Sequence, residues 1–246
     1  IDISACIKKA KVEVKHWLFP FTCILCCEEA RREIDLCLDC EKNLPWLDHI
    51  CTHCAAPLCL EANAICGTCL KKPFPFYKTY ILFSYTEPIR KLITGIKFQQ
   101  RLLYANILGN LLAEKIELSY QEEQLPHVII PVPLHKKRLR ERGFNQAMEI
   151  ARPIQKKLKI PIDYKSCQRV RNTVAQSTLL ANQRSTNVKK AFAITEQKNV
   201  INKHIALLDD VMTTGHTLIE LSSSLYDAGV KRIDVWCCAR TYLGSF

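Results

Sequence analysis

The sequence predicts an α/β fold in which a parallel sheet flanked by helices follows a small cysteine-rich module. Three observations support this. Strand-like and helix-like segments alternate through residues 76–246, four Cys-x-x-Cys pairs lie within residues 1–75, and the excess positive charge is confined to the later part. The chain has 246 residues, of which 48% are hydrophobic and 24% charged. This composition excludes a disordered, collagen-like or coiled-coil protein.

The cysteine-rich module, residues 1–75, is predicted to be a double zinc ribbon. Each Cys-x-x-Cys pair places two thiolates close together, and two pairs complete the four tetrahedral ligands that structural zinc prefers. Ten residues separate the first two pairs and eleven separate the last two, so two consecutive four-cysteine sites, each for one structural Zn²⁺, are the favoured interpretation, and a single Zn²⁺ is the alternative. The predicted zinc ligands are Cys23, Cys26, Cys37, Cys40, Cys51, Cys54, Cys66 and Cys69.

Two alternatives to zinc are open for these cysteines: a disulfide framework and a redox-active pair. A disulfide framework is disfavoured because no export signal is visible, and a redox motif would need only one pair. Cys27, Cys59 and His53 lie close enough to compete as ligands, but we interpret them as residues packed near the sites. Few large apolar residues lie between the pairs, so the module is expected to depend on metal for folding.

Residues 76–246 are predicted to form the α/β domain, after a linker at residues 71–75. Short apolar runs indicate the strands, and apolar residues at helical spacing indicate the helices. Pro153 is expected to interrupt the helix that contains it. Strands that alternate with helices imply a parallel sheet covered on both faces. In chain order, the predicted elements are a strand at Tyr80–Tyr85, helices at Ile89–Phe98 and Leu102–Ile116, a strand at His127–Pro133, a helix at Phe144–Leu158, a strand at His204–Asp209, a helix at Thr217–Ala228 and a strand at Ile233–Ala239.

Residues 207–217 (LLDDVMTTGHT) run from an apolar strand through two acids into a Thr-Thr-Gly turn and a helix. Free backbone N–H groups and the positive end of a helix dipole favour an anion at such a turn. A plain strand–turn–helix is the alternative, but two adjacent carboxylates at a strand end repel one another, which favours a ligand role. The candidate binding residues are Asp209, Asp210, Val211, Met212, Thr213, Thr214, Gly215, His216 and Thr217.

The net charge of +11 lies entirely in residues 76–246, which hold twenty-six Lys and Arg against fourteen Asp and Glu. A basic domain attracts polyanions, although a merely solvated basic surface is the alternative. Residues 135–142 (HKKRLRER) and the acid-free segment 164–195 concentrate this charge, and residues 172–187 are interpreted as a mobile loop. The candidate nucleic-acid-binding residues are Lys136, Lys137, Arg138, Arg140, Arg169, Arg171 and Arg184.

The sequence contains no run of about eighteen apolar residues, so no segment is predicted to span a membrane. Residues 1–21 are broken by basic residues and lack an apolar core followed by small residues, which argues against a secretory signal. A cytoplasmic location is therefore expected.

Residues 207–217 resemble the phosphoribosyl-pyrophosphate (PRPP) loop of type I phosphoribosyltransferases. The resemblance implies a type I phosphoribosyltransferase-like sheet, with PRPP as ligand and Mg²⁺ on its diphosphate. It also implies that Asp209 and Asp210 hold the ribose 2′- and 3′-hydroxyl groups, while residues 212–217 cradle the 5′-phosphate. Purine-salvage members carry an aspartate at the position of Thr213, which weakens an assignment to purine salvage.

Further motifs are similar to those of the ComF family of competence proteins. They are Pro131–His135 (PVPLH), Arg138–Ala147 (RLRERGFNQA), Gln176, Arg184, Asn187, Phe192, Arg240-Thr241, Leu18–Pro20, Leu44–Trp46 and Lys97-Phe98. The resemblance thus covers nearly the whole chain. In phosphoribosyltransferases the loop after the corresponding strand faces the pyrophosphate of PRPP, which implies that Arg142, Gly143, Asn145 and Gln146 bind it here.

The ComF resemblance implies a PRPP-binding protein of natural transformation that holds incoming single-stranded DNA in the cytoplasm. Other competence or recombination proteins are further candidate partners. The alternative is an active phosphoribosyltransferase that transfers ribose 5-phosphate from PRPP to an unknown acceptor. The sequence offers no recognisable acceptor site, so no catalytic residue is assigned. A PRPP-sensing protein with neither activity is a third interpretation.

Overall fold

The structure, a computed structural model, describes residues 20–58, 64–171 and 190–241. The chain divides into two compact units, Ile1–Leu44 and Pro45–Phe246. Within its described residues, the first unit contains a short helix, α1 (Leu38–Lys42), and an antiparallel bridge between Thr22 and Glu29. The division falls between the second and third cysteine pairs, so the last two pairs belong to the same unit as the sheet.

The second unit is built on a four-stranded parallel sheet with the strand order β1-β6-β5-β2, while β3 and β4 pair separately and antiparallel. A 3-10 turn precedes β5. The described helices and strands of the second unit are α2 (Gly67–Lys71), β1 (Lys78–Ser84), α3 (Ile89–Gln99), α4 (Leu102–Ser119), β2 (Val128–Pro131), α5 (Lys136–Arg142), α6 (Gln146–Leu158), β3 (Cys167–Arg169), β4 (Phe192–Ile194), β5 (His204–Met212), α7 (His216–Asp227) and β6 (Arg232–Arg240).

The four parallel strands end at the same edge of the sheet, called here the carboxyl edge. β6 ends at Arg240, opposite Met212 of β5. β2 ends earlier, because Pro131 lies opposite Leu208. Residues 209–212 of β5 therefore extend beyond β2 and, among the described strands, pair with β6 alone. In open parallel sheets, ligands bind at this edge.

Helices cover both faces of the sheet. Side chains on one face, including Ile205 and Val235, pack with Leu221 of α7 in one buried core. Alternate residues point to the other face, where the indole of Trp236 donates a 3.4 Å hydrogen bond to the hydroxyl of Tyr120, just after α4. On that side α4 and α6 pack against strands of the sheet and against each other. The strands are consequently apolar along most of their length, as two covered faces require.

The predicted strands and helices are present, with bounds shifted by a few residues, but the expected interruption at Pro153 is wrong. α6 continues through Pro153 to Leu158. The proline ring faces Gly109 of α4, where a Cβ atom would lie only 2.3 Å from the Pro153 Cγ atom. A glycine in α4 thus makes room for the proline of α6. The loop predicted at residues 172–187 lies outside the described residues.

Charged residues 136–142 form a helix that the apolar pattern does not predict. The ring of His135 accepts a hydrogen bond from the backbone N–H of Lys137 (3.2 Å), which caps the start of α5. Gly143 ends the helix in the left-handed conformation, with φ of 83°, as glycine does at many helix ends. Most residues of this helix are exposed, so the sequence has no apolar helical face from which the helix could be predicted.

A buried polar network lies at the opposite edge of the sheet, around the fully buried carboxylate of Asp234. Its Oδ2 atom accepts hydrogen bonds from the hydroxyl of Tyr120 (2.5 Å) and the guanidinium of Arg232 (3.0 Å), and lies 2.7 Å from Nε2 of His204. Burial opposes ionisation, but these partners outweigh it and hold the pKa of Asp234 below its usual value. The network joins the starts of β5 and β6 to the end of α4.

Candidate functional site

The first four-cysteine group, in the first unit, consists of Cys23, Cys26, Cys37 and Cys40. Their four Sγ atoms all lie within 4.8 Å of one another. The hairpin that carries the first pair is held by backbone hydrogen bonds from Cys23 to Glu28 (2.8 Å) and from Cys27 to Cys23 (2.9 Å). Cys37 precedes α1, and its sulfur accepts a hydrogen bond from the backbone N–H of Cys40 (3.4 Å). Both predicted pairs therefore converge on one point.

The second four-cysteine group consists of Cys51, Cys54, Cys66 and Cys69, with the same spread of Sγ atoms. Cys51 accepts a hydrogen bond at its sulfur from the backbone N–H of Cys66 (3.3 Å). The turn after Cys51 lies on β1, because Thr79 donates its backbone N–H to the carbonyl of Thr52 (2.7 Å) and its hydroxyl to the carbonyl of His53 (2.6 Å). The second group is thus built directly onto the sheet.

Both groups fit structural zinc. Burial opposes ionisation of the thiols, but backbone hydrogen bonds outweigh it and lower the pKa of Cys23 to about 6 and that of Cys51 to about 7. Further thiolates next to these would repel one another, so a divalent cation is needed to hold four together. Cys27 and His53 belong to neither group, and Cys59 lies outside the described residues. The two predicted four-cysteine sites and their pairing are confirmed.

The predicted anion turn, residues 209–217, lies at the carboxyl edge between β5 and α7. Gly215 immediately precedes α7 with φ of 80°, and a Cβ atom there would lie 2.8 Å from the methyl carbon of Met212. Any other residue would therefore be both strained and crowded. The hydroxyl of Thr214 lies 2.8 Å from Nδ1 of His216. The first N–H groups of α7 face this turn, as the geometry of a helix start requires.

The two aspartates of the turn occupy different electrostatic environments. Asp210 is buried, with Oδ2 in an ion pair with Nζ of Lys97 and Oδ1 at 3.4 Å from the amide nitrogen of Gln146. Burial opposes ionisation of Asp210, but the Lys97 ammonium outweighs it and holds its pKa below the usual value. Burial and the neighbouring Asp210 carboxylate raise the pKa of Asp209 well above its usual value. Two negative charges on this pair at once are therefore disfavoured.

Three arginines are called here the cation cluster: Arg142 on α5 is joined to Asp210 through Gln146, Arg138 lies on the same helix, and Arg169 forms a β-bridge with His135 just before that helix. Burial and the positive charge of Arg138 lower the pKa of both Arg142 and Arg169. The carboxylate of Asp210 acts to raise the pKa of Arg142, and the carboxylate of Asp209 acts to raise the pKa of Arg169. Arg142 also donates a 2.5 Å hydrogen bond to the side-chain oxygen of Gln146. Such crowding of guanidinium groups is typical of a site for phosphate groups.

The remaining predicted site residues lie near the same edge. Asn145 donates a 3.0 Å hydrogen bond from its side chain to the carbonyl of Val132 and caps α6 through the backbone N–H of Ala147. Gly143 ends α5 as described. Lys136, Lys137 and Arg140 are exposed on α5, and Arg171 is exposed just after β3. Arg184 lies outside the described residues.

The structure separates exposed aromatic rings from buried ones, which the sequence alone does not. Phe76 and Tyr104 are buried, whereas Phe98 is 75% exposed at the end of α3. The guanidinium of Arg142 lies over the Phe98 ring, 5.8 Å from its centroid. An exposed ring therefore stands within contact of the cation cluster.

The sequence alone does not identify Lys97 and Arg240 as site residues, although both lie within the motifs given above. Lys97 is the ion-pair partner of Asp210. Arg240 donates to the carbonyl groups of Cys54 (3.1 Å) and Met212 (3.0 Å). The sequence does carry one signal for Arg240, a charged residue at the end of an apolar strand, because such a charge requires polar partners at the same edge of the sheet.

Comparisons with known proteins match this architecture. A family model described as a double zinc ribbon domain matches residues 14–70. Competence protein F of Haemophilus influenzae is 37% identical over 226 residues, which cover 90% of this chain and 98% of that protein. DNA utilization protein YhgH of Escherichia coli (strain K12) is 33% identical over 84% of this chain and 90% of its own. Competence protein ComFC of Bacillus subtilis is 23% identical over 79% of each.

Similar solved structures include a glutamine PRPP amidotransferase from B. subtilis complexed with ADP and GMP. It is 18% identical, with a TM-score of 0.36, and covers 54% of this chain and 25% of its own. A purine phosphoribosyltransferase from Pyrococcus horikoshii is also 18% identical, with a TM-score of 0.34, and covers 58% of this chain and 90% of its own. None of the helices in residues 20–58, 64–171 and 190–241 combines the length and apolarity needed to span a bilayer.

The predicted architecture, a helix-flanked parallel sheet with an N-terminal double zinc ribbon, is confirmed. The relatives above 30% identity align over most of both chains. The chain therefore belongs to the ComF family of competence and DNA utilization proteins.

Proposed function

We propose that this protein binds PRPP and holds incoming single-stranded DNA in the cytoplasm during natural transformation. The observation that carries the proposal is the hydrogen-bonded link from Asp210 through Gln146 to Arg142, which places the acid pair, Asp209 and Asp210, beside the cation cluster at the carboxyl edge. The names of the curated relatives, competence protein and DNA utilization protein, support the same biological process.

The chemistry of PRPP matches this arrangement group by group. Carboxylates accept hydrogen bonds from sugar hydroxyl groups, which suits the acid pair to the ribose. The start of α7 and the hydroxyl groups of the 209–217 turn suit a phosphate monoester. Guanidinium groups bind phosphate oxygens in pairs, which suits the cation cluster to the diphosphate. Asp209 and Asp210 also offer the oxygen ligands that Mg²⁺ prefers, so a magnesium ion on the diphosphate fits these residues.

Single-stranded DNA requires cations along its backbone and aromatic faces for its bases. Lys136, Lys137 and Arg140 on α5 supply exposed positive charge next to the cation cluster. Phe98 supplies an exposed ring at the same edge. These features support a DNA path that begins beside the PRPP site and follows α5.

Calorimetry with PRPP and with oligo(dT) on the same preparation tests both halves of the proposal. Asp209→Ala combined with Asp210→Ala should abolish PRPP binding. Lys136→Ala, Lys137→Ala and Arg140→Ala together should weaken DNA binding at least tenfold and flatten its dependence on salt concentration, because fewer counterions are released. A matched variant that removes three exposed charges elsewhere, Lys156→Ala, Lys198→Ala and Lys231→Ala, should bind DNA nearly as the wild type does. Equal loss in both triple variants would contradict a specific path along α5.

A second candidate, an active phosphoribosyltransferase, is favoured by the same acid pair and cation cluster. Stabilising a leaving diphosphate requires this kind of preorganised positive charge. The test is release of pyrophosphate from PRPP across a panel of bases, nucleosides and nucleotides. Release that depends on an acceptor and is lost in the Asp209→Ala, Asp210→Ala variant would support the enzyme; no release with any acceptor would leave PRPP binding alone.

A further inference from the structure

We propose that Arg240 couples the second four-cysteine group to the 209–217 turn, so that zinc at this group strengthens phosphate-ligand binding at the turn. Arg240 is then a positioning residue, which acts through the two carbonyl groups that it joins. The inference rests on the proposed function for the identity of the ligand. It gives the last two cysteine pairs a role beyond the folding of a separate module.

Arg240 connects the two sites directly. Its Nε atom donates to the carbonyl of Cys54, a predicted zinc ligand, at 3.1 Å. Its Nη1 atom donates to the carbonyl of Met212, where the turn leaves β5, at 3.0 Å. The backbone N–H of Thr241 donates to the same Met212 carbonyl at 3.1 Å. One guanidinium thus fixes the position of a ligand residue relative to the last strand residue of the turn.

Phe74 provides a second, independent connection. Its ring packs against the cluster formed by Cys51, Cys54 and Cys69, and also against the main core of the unit. The same ring supports the turn, because a Cβ atom placed on Gly215 would lie 3.0 Å from Phe74 Cε1. The glycine of the turn is therefore in van der Waals contact with a side chain that the second four-cysteine group helps to place.

The turn between Cys51 and Cys54 is anchored on the sheet as well. Thr79 of β1 binds its carbonyl groups at Thr52 and His53, and Ala55, just after Cys54, is fully buried in the main core. β1 pairs with β6, which carries Arg240. A shift of Cys54 would therefore be transmitted both through the guanidinium and through the packed strands.

The physical consequence follows from the rigidity that zinc imposes. Four Zn–S bonds fix the backbone of the 51–54 turn, including the Cys54 carbonyl. Without the metal, no bond ties the four sulfur atoms to one point, and the Cys54 carbonyl is held only through the contacts of its turn with Thr79 and the core, so it becomes more mobile. The hydrogen bond from the charged Arg240 guanidinium to the Cys54 carbonyl is then weakened. As a result, the guanidinium is held less firmly against the Met212 carbonyl. The turn consequently binds phosphate more weakly.

The test uses the full-length zinc-loaded protein and two substitutions, Arg240→Lys and Arg240→Met. Lysine keeps the charge but cannot reach two carbonyl groups with a fixed fork. We expect PRPP affinity to fall about tenfold in both variants, and a chelator to remove zinc faster from the second four-cysteine group than in the wild type. Arg152→Met, which removes an exposed arginine of α6, is the matched control and should change neither property.

Thermodynamic linkage between zinc and PRPP provides a further measurement, which would not change if Arg240 had only a structural role. If zinc strengthens PRPP binding, PRPP must strengthen zinc binding by the same factor. PRPP should therefore protect the second group of the wild type against a chelator, and this protection should vanish in Arg240→Met. Hydrogen exchange of residues 212–217, measured with and without zinc and with no ligand present, should show faster exchange in the zinc-free protein.

The outcomes separate this inference from the proposed function. PRPP binding that is unchanged in both Arg240 variants, with no protection of zinc by PRPP, would overturn the coupling and leave the proposed function standing. A wild-type protein that does not bind PRPP would contradict the proposed function. In that case the exchange of residues 212–217 still decides the coupling, which fails if zinc has no effect on it.

Discussion

Lys97 and Asp210 form an ion pair in which both side chains are largely buried, 21% and 5% exposed. Lys97 reaches this position from the last turn of α3, while Asp210 lies on β5. The pair separates the two aspartates electrostatically, because the ammonium stabilises the charge of Asp210 and Asp210 in turn disfavours the charge of Asp209. A single lysine thus favours the charge of Asp210 over that of the adjacent Asp209.

Replacing this lysine should damage both stability and binding. Lys97→Met leaves the buried Asp210 carboxylate without its cation, and we expect a loss of about 3 kcal/mol in the free energy of unfolding. PRPP affinity should also fall. Urea unfolding followed by circular dichroism, together with calorimetry, measures the two effects. Lys91→Met, on an exposed position of the same helix, is the control. A Lys97→Met protein as stable as this control would show that the pair contributes little.

Asp209→Asn should make the protein more stable while weakening PRPP binding. The pKa of Asp209 is raised in the folded protein, so ionising it costs stability as the pH rises above its unfolded value and through its folded value. The amide avoids this cost. We expect an apparent Tm about 2 °C higher at pH 7, a gain that shrinks toward pH 5, and PRPP affinity at least tenfold lower.

Thermal melts between pH 5 and pH 8 measure the pH dependence. Asp48→Asn, at an exposed position, is the matched control and should show neither change. A constant difference in Tm between Asp209→Asn and wild type across this range would contradict a raised pKa at Asp209.

Phe98→Ala should weaken binding of oligo(dT) about tenfold, since stacking on an aromatic ring contributes about 1–3 kcal/mol per base. Phe98→Trp should retain the affinity, and PRPP binding should stay within about twofold of wild type in both, because the Phe98 ring is placed beside the PRPP site and not in it. Fluorescence anisotropy measures the affinity. An oligonucleotide with abasic sites should show no difference between Phe98→Ala and wild type.

The control for loss of exposed apolar surface is Leu118→Ala, because Leu118 is 65% exposed on α4. If both alanine variants lose DNA affinity equally, base stacking on Phe98 is not the cause.

Asp234→Asn should be the most destabilising of the substitutions at the opposite edge of the sheet. The amide cannot serve Tyr120, His204 and Arg232 together, and it leaves buried donors unsatisfied, so we expect a loss of about 3 kcal/mol. Tyr120→Phe removes only one of these hydrogen bonds and should cost about 1 kcal/mol. Urea unfolding at pH 7 measures both. A smaller effect of Asp234→Asn than of Tyr120→Phe would contradict a network centred on Asp234.

The strands and most helices could be predicted because each carries a local signal. An unbroken apolar run such as residues 205–208 marks a strand covered on both faces, and Gly215 marks a turn that needs positive φ. The cysteine pairing was predictable for the same reason, since the spacing of each pair is itself the geometry of a ligand.

The rest depended on contacts between distant residues. α5 has no apolar face, so nothing in its pattern distinguishes a helix from a solvated loop. Lys97 and Asp210 are more than a hundred residues apart, and only the meeting of α3 with β5 makes them partners. Arg240 likewise joins Cys54 to Met212 across the sheet edge. The packing of Pro153 of α6 against Gly109 of α4 is another such contact.

Because β2 ends before β5 does, the candidate site is open on the side of β2. Because β5 continues to Met212 with only β6 beside it among the described strands, the acid pair is flanked by a step in the sheet, and the basic helix α5 follows β2 at that step. A polyanion that diffuses toward the protein would meet the lysines of α5 before it reached the aspartates. We therefore expect the arrival rate of DNA, more than its residence time, to respond to charge changes on that helix.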